Sequence, residues 1–528
     1  MKNIFNKTEV IKWKTDESIL SFLKNNIDTN GNLGTNAFTL PGDKKIDNKL
    51  PFSTFGPFDN PKPGKKDLKK LKKRIGKLTK LLKKISKTGD IKSESEFYKE
   101  ITETKYITEI IDEFLYKLTQ LKIPIEDHLF NFAHNLATKT DNKNSVKFGI
   151  AILIICEKKK PVEDLKILGL HEEFTVLSSL AISYLSDNVI SDLWELAKKV
   201  DGYGKINLVE YMAKMDMSDE IRDWLVYEGY KNNMLYEHSA YTCIINGRLS
   251  EKLSKSSIDN ELFISAGKLI PVVMYEEPEE QLNPVSLLKD YLKHSKEQQL
   301  KISDFNFINT IKSYFEDLLS EIQDVNIQNW EENDLSNCLI DIDEILISKD
   351  WNFDIQKAFK SSDKEEYNSA VEAAKKMRIN ILDILWDKLI SHPFDSVTWS
   401  NIIANANPED ATRIIEQAIK HLPLEEISTG PKNCSIPDTK LIYEKHLSLQ
   451  YLITFLENYP KEGHEIIIAG LRNPMSENRY RTIETLEKWT SSNWTQEIEN
   501  ELLKLKKIEP NSYVKKNLKK LILNKVIQ

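Results

Sequence analysis

The sequence predicts an all-α chain, a solenoid of stacked antiparallel helix pairs. Three observations carry this. Apolar residues recur at steps of three and four over most of the 528 residues, the spacing that lines one face of an α-helix. The helical runs are short and are joined by turns that leave room only for antiparallel neighbours. Glycine and proline, 17 and 18 in number, are scarce for this length, as in mostly helical chains. Helices this short must bury their stripes against neighbours, and successive hairpins meet that need by stacking.

The clearest unit runs from Val189 to Gly247. Its first helix presents Val189, Leu193, Leu196, Ala197 and Val200, with Trp194 beside them. Asp201-Gly202-Tyr203-Gly204 is expected to end it, since glycine accepts the left-handed backbone of a helix exit. Ile206, Val209, Met212 and Ala213 line the second helix. Ser218 reads as the N-cap of the third, with Asp219 and Glu220 at its positive end. Ile221, Trp224 and Leu225 form its stripe, and Gly229 closes it. The fourth stripe is Met234, His238, Tyr241 and Ile245, closed by Gly247.

Five segments follow from this pattern. Residues 1–61 hold one amphipathic helix around Ile19, Leu20, Phe22 and Leu23, then an Asn/Gly/Pro-rich stretch whose repeated X-Pro steps disfavour helix. Residues 62–90 form a basic amphipathic helix. Residues 91–260 are N-terminal repeats, with helices over Tyr106–Leu121, Asp127–Ala137, Ser145–Cys156, Asp164–Leu170 and Glu172–Leu185 leading into the central unit. Residues 261–391 are a middle region with weaker or longer helices. These include two over Ser303–Ile347 and a single one over Glu365–Ile390, together with an acidic, solvated loop around Glu276, Glu277, Glu279 and Glu280. Residues 392–528 return to short hairpins. Asn407 there caps a helix with Pro408 at its first position, and the lysine-rich last helices suit a polar end cap.

The basic helix is the most biased stretch. Lys62–Lys87 holds thirteen basic residues against one acid, a net +12, in a chain whose total is −7, so the remainder carries −19. Leu68, Leu71, Ile75, Leu78, Leu82 and Ile85 repeat with a seven-residue period. Two readings stand. The stripe packs on the first repeat while the lysines face the acidic body, or the helix binds an anionic partner in trans. For the second, Lys69, Lys70, Lys72, Lys73, Arg74, Lys77 and Lys80 are the candidate contacts, to a nucleic acid, an anionic membrane or an acidic protein.

Chemistry-bearing motifs are tested residue by residue. Met1–Trp13 has no apolar core, so no secretory signal is expected, and the apolar run Phe148–Cys156 is far short of a membrane span. Cys156, Cys243, Cys338 and Cys434 form no zinc spacing, and three of them read as reduced, buried thiols. Gly202-Tyr203-Gly204-Lys205 lacks the P-loop spacing and its following hydroxyl. His128 and His134 lie six apart, off one-face metal spacing, and His171-Glu172-Glu173 lacks a second histidine. All three histidines are expected at the surface or at a boundary, and His238 within a core. The residue reading is therefore a cytoplasmic, non-catalytic scaffold for a protein or other macromolecular partner, with no cofactor. Nucleic-acid binding through residues 62–87 is the second reading.

Residues 461–489, KEGHEIIIAGLRNPMSENRYRTIETLEKW, resemble a HEAT repeat, in which a basic residue follows a Pro/Asp turn. VDGYGKINLVEYM resembles the same turn. The resemblance implies an internal polar ladder, carried here by Asp201, Lys205, Asn473 and Arg479. VDGYGKINLVEYM, IRDWLVYEGYKNN, LPLEEISTGP and GLRNPMSENRYRTIETLEKW are together similar to a group of proteins from Gram-positive bacteria, some labelled limonene hydroxylase. That similarity covers roughly residues 180–490. It implies an oxidoreductase, whose C–H chemistry requires a haem, flavin or metal centre. None of the four cysteines sits in a haem-binding context, and no facial triad is spaced along the chain. Solenoids of this type also resemble the HEAT-like DNA glycosylases, which cradle DNA in a basic concave face. Asp201, Tyr203, Lys205, Arg222 and Trp224 are the set such a site would draw on, within an acidic body that repels duplex DNA outside 62–87.

Overall fold

The computed structural model describes residues 17–41, 65–103, 107–120, 127–156, 161–232, 236–274, 282, 284–321, 332–361, 363–432 and 440–526. The acidic loop glutamates, Cys434, Met234 and the Pro-rich stretch of residues 42–64 lie outside them. The described residues are all-α, without a strand; β pairing is limited to isolated bridges such as Ile27–Leu33. They divide into two compact units. One extends to Leu300 and includes Thr310–Leu346, while the other takes Lys301–Asn309 and Ile347 onward.

The first unit begins with α1 (Ile19–Asn25), α2 (Lys65–Thr88), α3 (Ile91–Thr102), α4 (Ile107–Gln120), α5 (Asp127–Thr138) and α6 (Lys143–Ile154). A series of short helices follows: α7 (Val162–Gly169), α8 (Glu172–Leu185), α9 (Val189–Ala197), α10 (Gly202–Met212), α11 (Asp219–Trp224), α12 (Tyr236–Asn246), α13 (Leu249–Leu253), α14 (Asn260–Val273) and α15 (Pro284–Ser295). α16 (Ile302–Glu321) and α17 (Glu332–Ile347) come next in the chain. Among the short helices of this unit, packing on a hairpin mate and on the next-but-one helix recurs, and α6, α8, α10, α12 and α14 form one row. Ser218 caps α11 as expected, accepting from Ile221 N–H, and the structure adds Asn142 and Asp259, which accept from Ser145 and Leu262 N–H. Such side-chain caps satisfy orphan donors of the first turn. The core under α2 is aromatic. Phe97, Phe114, Phe132 and Phe148 come from four helices, with ring centroids 5.4–6.1 Å apart. Gly149 lets α6 lie directly on α5, because a Cβ there would sit 2.4 Å from Ala137 N.

The second unit holds α18 (Trp351–Ala358), α19 (Lys364–Lys376), α20 (Leu382–Ser391), α21 (Ser396–Asn405), α22 (Ala411–His421), α23 (Lys440–Phe455), α24 (His464–Leu471), α25 (Ser476–Lys488), α26 (Gln496–Ile508) and α27 (Ser512–Val526). α21, α23, α25 and α27 make one row here, and α22, α24 and α26 another. Asn407 and Asp410 close a capping box around Pro408 before α22.

Three expectations are corrected. Asp201-Gly202-Tyr203-Gly204 does not end a helix but starts one: Asp201 is the N-cap of α10, accepting from Gly202 N–H at 2.9 Å. Gly202 takes its positive φ of 63° at that entry, and Gly204 is buried where a Cβ would meet Thr175 of α8. The inward face of α12 is Ala240, Cys243 and Ile244 rather than His238, Tyr241 and Ile245. Tyrosine counts as apolar in a periodicity, yet its hydroxyl favours the boundary. The helix expected over Glu365–Ile390 is two helices. Arg378 turns left-handed at φ 56°, and Ile379 N–H reaches back to Ala374 O at 2.8 Å, a Schellman-type exit made without glycine.

Fully buried Arg479 organises the second unit. Its Nε and Nη2 donate to both oxygens of Glu509 at 2.7 Å. Nη1 donates to the carbonyls of Asn473 and Pro474, and Nη2 also to that of Lys432. All five guanidinium donors are thereby used. Asn473 is equally committed: Oδ1 accepts from Met475 N–H, and Nδ2 faces Ile427 O and His446 Nδ1. The Arg479→Ala variant strands a buried Glu509 and three carbonyls. It is expected to lose about 3–5 kcal/mol of stability, read by chemical denaturation. Burial pushes the buried His446 imidazole down to about 4. Its folded pKa lies below the unfolded value near 6.5, so its contribution is present above 6.5 and lost as pH falls from there toward 4. Denaturation at stepped pH is expected to show up to about 3 kcal/mol lost over that window, and a His446→Gln variant to show a flatter profile.

Candidate polyanion-binding surface

α2 spans 24 residues, about 36 Å at 1.5 Å per residue. Its predicted stripe is buried: Leu71, Ile75, Leu78, Leu82 and Ile85 are each at most 8% exposed, and only Leu68, at 45%, projects outward. The stripe rests on α3, α4 and α5. Each such side chain contributes about 2 kcal/mol of burial, which holds the helix to the body with one face outward.

That outward face is divided by charge. Successive residues turn by about 100°, so Arg74, Lys77 and Lys84 share the flank beside α3. There Arg74 pairs with Glu100 at 3.2 Å, Lys77 with Glu96 and Glu100 at 2.6 and 2.9 Å, and Lys84 with Asp90 at 2.6 Å. Lys84, with Ser93, holds the Asp90 carboxyl down at about 2, and Lys77 lowers that of Glu100. Lys69, Lys72, Lys73, Lys80, Lys83 and Lys87 turn to the opposite flank. All six are exposed, and none has an ion-pair or hydrogen-bond partner among the described residues. Lys70 is likewise exposed and unpaired, closer to the α3 side. Gly76 lies in the middle of the free flank, with nothing within 4 Å of where its Cβ would be.

The other sequence candidates are spent on packing or stand apart. In the first unit, Lys205 Nζ donates to the carbonyls of Glu228 and Lys231 at 3.0 and 2.7 Å, one hairpin further on, and burial lowers its pKa. Asn232 returns a bond to Gly202 O at 2.8 Å. Arg222 reaches Asn246 O at 2.9 Å, and Trp224 packs edge-on to Trp194 at 6.5 Å. These basic groups neutralise the negative ends of neighbouring helices. Asn473 and Arg479 lie together in the second unit, in the buried cluster described above. His128 is exposed, and His134 is half-buried on Asp164 at 3.2 Å. His171 differs from expectation: it is 2% exposed and caps α8 through Nδ1. His238 is exposed rather than in a core. Cys156, Cys243 and Cys338 are free and buried, and burial pushes the Cys243 thiol up to about 12.

Sequence reasoning missed one feature of the second unit. A cleft of about 600 Å³ opens across α21, α23 and α25, lined by Ile403, Tyr451, Phe455, Tyr459 and Arg481. Its residues lie on three helices far apart in the chain, and no local spacing marks them.

No protein-family model, curated protein or solved structure matches this chain.

The open surroundings of Gly76 generate a prediction. Gly76→Ala removes a flexible mid-helix residue without a clash, and is expected to stabilise the first unit by about 0.5–1 kcal/mol, seen as a raised midpoint in denaturant. A lowered midpoint would show that this position needs glycine for packing.

Proposed function

We propose that this chain is a non-catalytic, cytoplasmic helical-repeat scaffold of HEAT-like type, an α-solenoid that binds a macromolecular partner, and that the free flank of α2 meets a polyanionic one. One observation carries this reading: six exposed lysines share a flank with no counter-charge among the described residues, on a helix whose apolar face is already buried. Several other polar and basic side chains are engaged in packing. Lys205, Arg222 and Arg479 bind backbone carbonyls, and His446 and Asn473 bind each other. The next-but-one packing of short helices supports a repeat scaffold, because such stacking builds long surfaces from local contacts.

A chain with net charge −7 and pI near 5.9 is not expected to bind a polyanion through its average charge. Immobilised heparin therefore tests the local surface. The full chain is expected to be retained at low salt, and a Lys72→Glu/Lys83→Glu variant to elute at clearly lower salt. Flow-through of the unaltered chain would overturn the surface reading. A visible absorbance band or stoichiometric metal in the purified chain would overturn the non-catalytic reading.

A further inference from the structure

The free flank of α2 is a ridge in two parts. Lys69, Lys72 and Lys73 form one triplet and Lys80, Lys83 and Lys87 the other, with Gly76 between them. At about 100° and 1.5 Å per residue, both triplets point the same way, and their centres lie about 18 Å apart along the axis. The turn between them is a notch: Gly76 contributes no side chain, and the space over it is open. Glycine in a helix interior is unfavourable, and here no neighbouring atom demands it.

From this geometry we infer that the ridge straddles a groove of duplex nucleic acid, each lysine triplet resting on one phosphate wall and the Gly76 notch lying over the groove between them. The inference rests on the polyanion reading above and names the partner class. The major groove of B-form DNA is about 12 Å wide. Flexible lysine side chains reach inward from centres about 18 Å apart to phosphates at that spacing. The contacts are to phosphate only, so recognition is of backbone shape and not of sequence. The flank carries no aromatic residue on which an unpaired base would stack, which disfavours single strands. The buried stripe removes the apolar face by which an amphipathic helix enters a lipid surface, and a flat anionic surface has no relief to match a notch. The net negative charge of the rest of the chain disfavours phosphate over the remaining surface on average.

The test measures binding of the full chain to a 24-base-pair DNA duplex of arbitrary sequence, to the single strand of the same length, and to phosphatidylserine vesicles. Six phosphate contacts predict a slope of log K against log salt of about −5. The duplex is expected to bind at least tenfold tighter than the single strand. Lys72→Glu/Lys83→Glu is expected to abolish binding, while Lys515→Glu/Lys519→Glu on α27, with the same change in charge, leaves it within about twofold. Gly76→Gln fills the notch at an open position. It is expected to keep or raise the melting temperature while weakening duplex binding at least fivefold. Equal binding of single strand and duplex, or a Gly76→Gln variant that binds as well as the unaltered chain, overturns the straddling geometry. Binding to vesicles but not to duplex overturns the nucleic-acid assignment and leaves the polyanion surface standing; binding to none of the probes, heparin included, removes both.

Discussion

Most of the described helices are too short to persist alone, and that constraint shapes the rest. α7 has eight residues and α9 nine, lengths at which an isolated helix in water is mostly unfolded. The solution visible in each unit is burial on two sides, against the hairpin mate and against the next-but-one helix. Two burial partners require a wider apolar arc than one. This accounts for runs such as Ile150–Leu153 in α6 and Ile466–Leu471 in α24, which are buried all round. It also accounts for glycine inside helices: Gly149 sits where two backbones approach too closely for a Cβ, and Gly204 where a Cβ would meet the Thr175 side chain.

Stacked short helices expose many helix ends, and each end leaves carbonyls without partners. Much of the polar chemistry answers that need. Lys205, Arg222 and His294 bond to backbone carbonyls at the end of another helix. Arg479 gathers three carbonyls and a buried carboxylate around one guanidinium. Residue types that serve as catalysts in other settings here hold turns in place. Against that background the ammonium groups on the free flank of α2 have no comparable structural task among the described residues.

Helix existence was widely legible from sequence, because the three-four spacing of apolar residues is a local signal. The cap residues Ser218 and Asn407 were legible for the same reason: a cap acts within one turn of its own position. The errors fell where a neighbour decides. The stripe of α12 was misplaced because His238, Tyr241 and Ile245 satisfy the period equally well on the wrong face. The division between α19 and α20 carries no glycine or proline, and Arg378 adopts a conformation that its residue type rarely takes. In α10 the glycines were rightly marked as a turn, but the direction was reversed: Gly204 serves contact with Thr175, which no local pattern records.

The charge surface shows the same boundary. The sequence by itself determined that α2 is a helix with an apolar stripe and a lysine-rich remainder, because both follow from composition and a 3.6-residue turn. It made no distinction between Lys77 and Lys80, since both lie on the polar side of the same helix. Only the tertiary structure decided that Lys77 meets Glu96 and Glu100 while Lys80 faces outward. The reason is physical: an ion pair depends on which helix packs alongside, and the side on which α3 lies is set by burial of the Phe97, Phe114, Phe132 and Phe148 cluster, not by the charges themselves.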